Sequence, residues 1–308
     1  MIAATAKRGE MRTIRSILVA TDLTEVSDPL VRAGAALAAV LGAELHLLHA
    51  FDLQPLPPYG GGPGELPTFP ERMQQAERAL REQVRRSVPS GAAVASLDVI
   101  MYAAHKAILD RATQVAADLI VIGPHRRRGA VDRFLGSTAD RIVRAATVPI
   151  LVMRGEFRLP LGRVVAPIDF SEPARAALDQ ALWWAGSLGR TPNGGATTEV
   201  DVVHVVPREP GPGGAAVDAA RVDAELDREV AAAKERVKAT RPVRIRPRIL
   251  WGESPAREIL DFAAEEGADL VVVGTHGHGA VARALIGSVA STVARESPCP
   301  VLLVPPAP

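Results

Sequence analysis

The 308-residue chain has one cysteine, Cys299, and this scarcity excludes two classes of protein. A single thiol cannot close an internal disulfide framework, and it cannot supply a cysteine-rich zinc site. No apolar run reaches the roughly 18 residues that a membrane span requires. Residues 1–16 lack the apolar core of a signal peptide. These absences predict a cytoplasmic protein that does not contact the membrane.

The sequence also lacks a strong excess of basic side chains, since its net charge is +1. Nucleic-acid-binding domains carry a pronounced basic patch, so this balance does not favour DNA or RNA as a partner. One basic run, HRRR at 125–128, permits a nucleic-acid contact, but we favour solvated surface beside an anion site. Two nucleotide motifs are missing as well, namely Gly-x4-Gly-Lys-Ser/Thr and Ser-Gly-Gly-x-Asp-Ser.

The dominant positive feature is an internal repeat. The stretch DLIVIGPHRRRGAVDRFLGSTADRIVRAATVPILVM at 118–153 aligns without a gap with 269–304. Upstream, SILVATDLTEVSDP at 16–29 matches RVVAPIDFSEPA at 163–174. A period of about 150 residues indicates a duplicated domain rather than a solenoid. We predict domain 1 over residues 1–155 and domain 2 over residues 160–308, with the linker around 154–162.

Each copy alternates apolar runs with helical patterns, which predicts an α/β fold with open parallel sheets. Strands such as LIVIG and LVVVG are apolar throughout, as is typical of strands buried on both faces. In the first copy the predicted strands are 14–20, 44–50, 94–100, 118–122 and 149–153, and the helices are 28–41, 71–88, 104–116 and 137–145. In the second copy the predicted strands are 163–168, 200–206, 244–250, 269–273 and 300–304, and the helices are 171–188, 217–239, 255–266 and 288–296.

The stretch VVVGTHGHGAVARALIGSVAS at 271–291 places glycines directly after a strand. Glycine lets a phosphate approach the backbone closely, and a helix start presents N–H groups that attract anions. Gly274 and Gly277 therefore predict a phosphate-binding turn, to which Gly287 and Ser288 add N–H groups and a hydroxyl. The alternative is that these glycines only shape turns.

Asp169 makes the phosphate interpretation stronger. It ends the first strand of the second copy, whereas Gly274 ends the fourth. If these strands are neighbours, their ends flank the topological switch point where ligands bind in open α/β sheets. The alternative role for Asp169 is the N-cap of the following helix, for which Ser171 is also a candidate. The two roles of Asp169 can coexist.

The spacing Gly274-x2-Gly277-x9-Gly287-Ser288 resembles the signature of ATP-binding universal stress proteins. The segments PIDFSEPA, LWGESPAREILDFAAEEGADLVVVGTHG and SPCPVLLV resemble the same family, and the resemblance covers nearly the whole chain. It implies a tandem form with two Rossmann-like domains of strand order 3-2-1-4-5, related by a pseudo-two-fold axis. It also implies that strands 149–153 and 300–304 pair domains or subunits, as a homodimer or an intramolecular pseudo-dimer.

The resemblance further implies an ATP-binding regulatory protein of stress responses, with Mg²⁺ expected on the phosphates. No residue is assigned as catalytic or as a metal ligand. Asp169 would contact the adenosine part, and Pro167 and Val205 would line the adenine pocket. The residues expected around the phosphates are Val273, Gly274, His276, Gly277, Gly287, Ser288 and Val289.

The first copy departs from this pattern. Its equivalent residues are Asp22, Gly123, His125, Arg126, Gly136 and Ser137. Arg126 replaces the second glycine, so its side chain either obstructs a phosphate or pairs with one. Two alternative functions follow, a nucleotide-free interaction scaffold and a slow ATPase.

Three remaining features have structural explanations that we favour. His49 and His204 occupy matching strand ends, but no carboxylate or cysteine cluster accompanies them, so we expect structural histidines rather than metal ligands. We expect at least one of Trp183 and Trp184 in the core. Cys299, between two prolines, is expected to be a buried structural thiol rather than a redox sensor.

Overall fold

The computed structural model describes residues 13–51, 68–123, 136–190, 197–207, 219–237, 239–276 and 286–306. Among the residues expected to bind ligand, His125, Arg126 and Gly277 lie outside these ranges. The chain divides into two compact units, one formed by Ile14–Met153 and the other containing Arg154–Pro308. No helix among the described residues is both long enough and apolar enough to cross a membrane.

The described part of the first unit contains five strands and four α-helices, with a short 3₁₀ turn before the first helix. The strands are β1 (Ser16–Thr21), β2 (Glu44–Phe51), β3 (Ser96–Met101), β4 (Leu119–Ile122) and β5 (Ile150–Val152). The helices are α1 (Asp28–Leu41), α2 (Phe69–Ser87), α3 (Ala104–Gln114) and α4 (Ser137–Ala145). The strands are parallel and lie in the order β3-β2-β1-β4-β5.

The described part of the second unit repeats this arrangement. Its strands are β6 (Arg163–Pro167), β7 (Thr198–Val206), β8 (Val243–Trp251), β9 (Leu270–Gly274) and β10 (Val301–Val304). Its helices are α5 (Glu172–Leu188), α6 (Ala219–Arg236), α7 (Pro255–Glu265) and α8 (Ser288–Glu296). The parallel order is β8-β7-β6-β9-β10, so both units have the order 3-2-1-4-5. The predicted α/β class and strand order are confirmed.

Burial explains why β4, β9 and β10 are apolar along almost their whole length. All residues of β4, β9 and β10 are buried. Helices cover both faces of such a sheet, and an apolar residue on either face therefore gains free energy on burial. Trp184 on α5 is fully buried and packs edge-on against Phe157, which confirms the expectation of a core tryptophan.

The start of α5 follows its sequence signal. The hydroxyl of Ser171 accepts a hydrogen bond from the backbone N–H of Ala174 at 3.3 Å, and Pro173 lies in the first turn. Ser171 is thus the N-cap that the sequence predicts. The pairing of β6 with β9 then places the loop before α5 next to the end of β9.

Candidate functional site

The carboxyl ends of β6, β7 and β9 border a cavity of about 540 Å³ in the second unit. This volume lies within the range of roughly 300–1,000 Å³ typical of small-molecule sites. Nine of the ten residues expected to bind ligand in this copy line it, and Gly277 is the tenth. The nine are Pro167, Asp169, Val205, Val273, Gly274, His276, Gly287, Ser288 and Val289.

Several lining residues were missed in the sequence. They are Ile168, Ala174, Val203, His204, Pro255, Ile259, Ile286 and Ala290. The two-residue repeat of a strand and the helical repeat could have identified some of them from the sequence. Val203 precedes Val205 by two residues and so shares its face of β7, whereas Pro255 and Ile259 are one helical turn apart on α7. The walls of the cavity are therefore mainly apolar, with polar groups at a few positions.

Asp169 lies at the rim of this cavity, where it is exposed. Its Oδ1 accepts a hydrogen bond from the backbone N–H of Ser171 at 3.0 Å and another from the Ser171 hydroxyl. Phe170, between them, has a φ of 62°, in the left-handed region. Asp169 is not the N-cap of α5, because Ser171 occupies that position. The loop instead uses these hydrogen bonds to fix the carboxylate.

The first turn of α8 forms another wall. Gly287 is its N-cap, with φ −58° and ψ 146°, and no side chain caps the helix. The N–H groups of the first helical turn have no carbonyl partner within the helix, and the helix dipole gives them a partial positive charge. Ser288 and Val289, in this turn, both line the cavity. This wall is suited to an anionic group.

Gly274 is required for packing between β9 and α5. A Cβ atom at Gly274 would lie 2.7 Å from the backbone oxygen of Pro173 and 2.9 Å from its carbonyl carbon. Its backbone is not in the left-handed region. Close approach of α5 is thus sufficient reason for glycine here, whereas a direct phosphate contact remains a prediction.

Thr275 follows Gly274, and the glycine spacing gave no signal for it. It is 1% exposed. Its backbone N–H donates to the oxygen of Val304 at 2.9 Å, and its carbonyl accepts from the N–H of Gly287 at 2.8 Å. Its Oγ1 lies 2.8 Å from Nδ1 of His276. Thr275 therefore connects the end of β9 with β10, with the N-cap of α8 and with a lining histidine.

In the first unit, Asp22, Gly123, Gly136 and Ser137 are among the described residues. Oδ1 of Asp22 accepts hydrogen bonds from the backbone N–H and the hydroxyl of Thr24, at 3.0 and 2.7 Å. Gly136 is the N-cap of α4, with φ −55° and ψ 152°. The loop after β1 and the start of α4 thus repeat the local geometry of the second unit.

A smaller cavity of about 270 Å³ in the first unit lies against α2. It is lined by Leu23, His49, Phe51, Arg72, Gln75, Ala76 and Ala79. None of the four described residues expected to bind ligand in this copy contributes to it. This cavity therefore does not reproduce the one in the second unit, although His49 matches His204 there.

The histidines at the strand ends contact backbone in both units. Nδ1 of His49 lies 2.9 Å from the oxygen of Thr21, and Nδ1 of His204 lies 2.7 Å from that of Ile168. Burial lowers the pKa of His49. Within the described ranges, no group of three or more His, Cys, Asp or Glu side chains is placed to hold a metal ion. These contacts support a structural role for both histidines.

Comparison with known proteins adds family membership to this geometry. The model of the Universal stress protein family matches residues 13–154 and 160–305. A universal stress protein of Mycolicibacterium smegmatis is 28% identical, and the alignment covers 94% of this chain and 97% of that protein. A crystal structure of a universal stress protein from Archaeoglobus fulgidus has a TM-score of 0.66 and 20% identity, covering 95% of this chain and 96% of its own.

A shorter alignment has a higher sequence identity. A universal stress protein of Methanocaldococcus jannaschii is 47% identical over 62 residues, which are 20% of this chain. The aligned part spans 36% of the length of that relative, or about a third of it.

Proposed function

The chain belongs to the universal stress protein family, in tandem form, and from this premise we propose that its second unit binds ATP as part of a regulatory stress response. The observation that carries the proposal is that nine residues of the expected set line one and the same cavity. It brings an exposed carboxylate, Asp169, and an uncapped helix start together across largely apolar walls.

The lining divides into parts that suit the parts of a nucleotide. Pro167, Val203 and Val205 offer apolar surface for a base, and the fixed carboxylate of Asp169 can accept hydrogen bonds from ribose hydroxyls. The first turn of α8, with His276 nearby, can donate hydrogen bonds to phosphate oxygens. Asp169 is the one acidic residue among the described lining residues, so the phosphate part meets little negative charge.

The lining residues also limit how Mg²⁺ can be held in the cavity. One carboxylate, already bonded to Ser171, is too few for a protein-held magnesium site. The lining does fit a cation that is carried by the nucleotide phosphates and neutralises their charge. We propose Mg²⁺ in that form, with Ser288 and the start of α8 on the phosphate side.

We propose binding and regulation rather than rapid turnover. With Asp169 assigned to the nucleoside, the described lining has no second carboxylate to activate a water molecule. Slow hydrolysis and a nucleotide-free scaffold are the alternatives. A cytoplasmic location, and assembly as a homodimer or as an intramolecular pseudo-dimer, complete the proposal.

Isothermal titration with Mg-ATP tests it, with a matched pair of variants taken from the two copies. We expect the wild-type chain to bind ATP, Asp169→Ala to weaken binding at least about tenfold through loss of a charge-assisted hydrogen bond, and Asp22→Ala to leave affinity unchanged. No binding by the wild type at millimolar ATP would overturn the proposal in favour of a scaffold. A loss confined to Asp22→Ala would place the site in the first unit, and phosphate release abolished by Asp169→Ala would favour the ATPase.

A further inference from the structure

Thr275 combines burial with a polar contact that packing does not require. Its hydroxyl lies 2.8 Å from Nδ1 of His276, and the side chain is almost completely excluded from solvent. A valine has nearly the same shape and would fill the same space. The hydroxyl therefore has a role only if its hydrogen bond to His276 matters.

That hydrogen bond determines which nitrogen of a neutral imidazole carries the proton. If the Thr275 hydroxyl donates to Nδ1, the proton lies on Nε2, and Nε2 is a donor. If Nδ1 donates to the hydroxyl, Nε2 has a lone pair and repels an anion. His276 lines the same cavity as the start of α8, whose first N–H groups are hydrogen-bond donors. A donor at Nε2 is the state that fits an anionic ligand.

The backbone of Thr275 acts on the same wall. Its carbonyl accepts from the N–H of Gly287, the N-cap of α8, and its own N–H is bonded to Val304. One residue thus holds both the histidine and the first turn of α8. Pro124, its counterpart in the first copy, has neither an N–H nor a hydroxyl, so it can form neither the equivalent backbone bond to the fifth strand of its own unit nor a side-chain bond to a histidine.

Resting on the proposed binding of ATP, we propose that Thr275 is a positioning residue for the phosphate chain. Its hydroxyl donates to Nδ1 of His276 and keeps the proton on Nε2, which donates to a phosphate oxygen. Its carbonyl holds Gly287 so that the first N–H groups of α8 face the same phosphates. Thr275 itself does not touch the ligand.

Two substitutions separate this role from packing. Thr275→Val keeps the shape and the backbone bonds but removes the hydroxyl, whereas Thr275→Ser keeps the hydroxyl. We expect Thr275→Val to weaken ATP binding about tenfold, the loss expected for one hydrogen bond to a charged group, and to leave adenosine binding unchanged. We expect Thr275→Ser to bind ATP with an affinity within about threefold of wild type. Thermal unfolding of each variant checks that the second unit remains folded.

The tautomer provides a readout that does not depend on ATP. In ¹⁵N spectra of histidine-labelled protein without ligand, at a pH where the imidazole is neutral, we expect a protonated Nε2 and a bare Nδ1 for His276. The signal is assigned by its disappearance in His276→Gln. In Thr275→Val we expect the two tautomers to be mixed.

The outcomes distinguish this inference from the proposed function. A wild-type protein that binds no ATP but shows an Nε2 tautomer that is partly lost in Thr275→Val would refute ATP binding and retain the role of Thr275 in fixing the histidine. A wild-type protein that binds ATP, with Thr275→Val of equal affinity or with the proton of His276 on Nδ1, would overturn the inference alone.

Discussion

Replacing Gly274 by alanine should destabilise the second unit, because the new methyl group has no space. Its Cβ would lie 2.7 Å from the Pro173 oxygen and 2.9 Å from the Pro173 carbon, and both are backbone atoms. No rotation of a side chain can relieve such contacts, so β9 and the first turn of α5 must separate. Overpacking of this kind costs about 2 kcal/mol. With a urea m-value of about 2 kcal/mol/M, the unfolding midpoint should fall by about 1 M.

The first copy provides the matched control. Gly123 occupies the same place after β4, but a Cβ there meets no described atom within 4 Å, and its φ is not in the left-handed region. Gly123→Ala should therefore leave stability unchanged or raise it slightly.

Urea unfolding followed by tryptophan fluorescence and by circular dichroism is the assay. The three tryptophans of the chain, Trp183, Trp184 and Trp251, all belong to the second unit, so fluorescence reports on that unit. Circular dichroism reports on both units. Equal midpoints for Gly274→Ala and Gly123→Ala would refute the argument that close helix packing demands glycine at 274. A loss of ATP affinity without any loss of stability would favour a direct phosphate contact instead.

Three further results are expected. Burial opposes ionisation of Asp28, but hydrogen bonds from Arg86 and Gln83 lower its pKa below the ordinary 3.8. The ionised carboxylate therefore stabilises the first unit above pH 3.8, and this contribution is lost as the pH falls below that value. Acid titration of stability should show this loss in wild type and not in Asp28→Asn. Burial raises the pKa of the Cys299 thiol from 9.0 to about 11. Near pH 8 the thiolate population of the folded protein, and its rate of reaction with a thiol reagent, should therefore be about a hundredfold below those of urea-unfolded protein. Folded and unfolded rates within about tenfold of each other would contradict this. Finally, Pro124→Thr combined with Arg126→Gly should raise the ATP stoichiometry by one per chain in a titration, and an unchanged stoichiometry would show that these two residues do not limit the first copy.

Most of the fold could be predicted because its signals are local. Helices 28–41, 137–145 and 288–296 have the predicted bounds in the structure, since each begins at a glycine, proline or serine signal and has an apolar face. The remaining predicted strand and helix ends lie within about three residues of the observed ones. Strand order came from family resemblance, because no local pattern fixes which strands become neighbours.

The parts of the site that were missed depend on contacts between distant segments. The hydrogen bond from Gly287 to Thr275 joins residues about 12 apart in the sequence, and the approach of Pro173 to Gly274 joins residues about 100 apart. Apolar lining residues such as Ile259 look like ordinary core residues in the sequence. Whether an apolar side chain faces the core or a cavity depends on tertiary packing, which periodicity alone does not report.

The duplication shows which features belong to the fold and which to the ligand. Both copies have an aspartate bonded to the residue two positions later, and both begin the fourth helix of the unit at a glycine with nearly the same φ and ψ. These features therefore cannot by themselves indicate nucleotide binding, because they occur whether or not the rest of the motif is present. The copies differ at Thr275 against Pro124 and at Gly277 against Arg126. If the second copy binds ATP and the first does not, we expect these residues after the fourth strand to contribute to the difference, because they supply or withhold backbone and side-chain donors for phosphate.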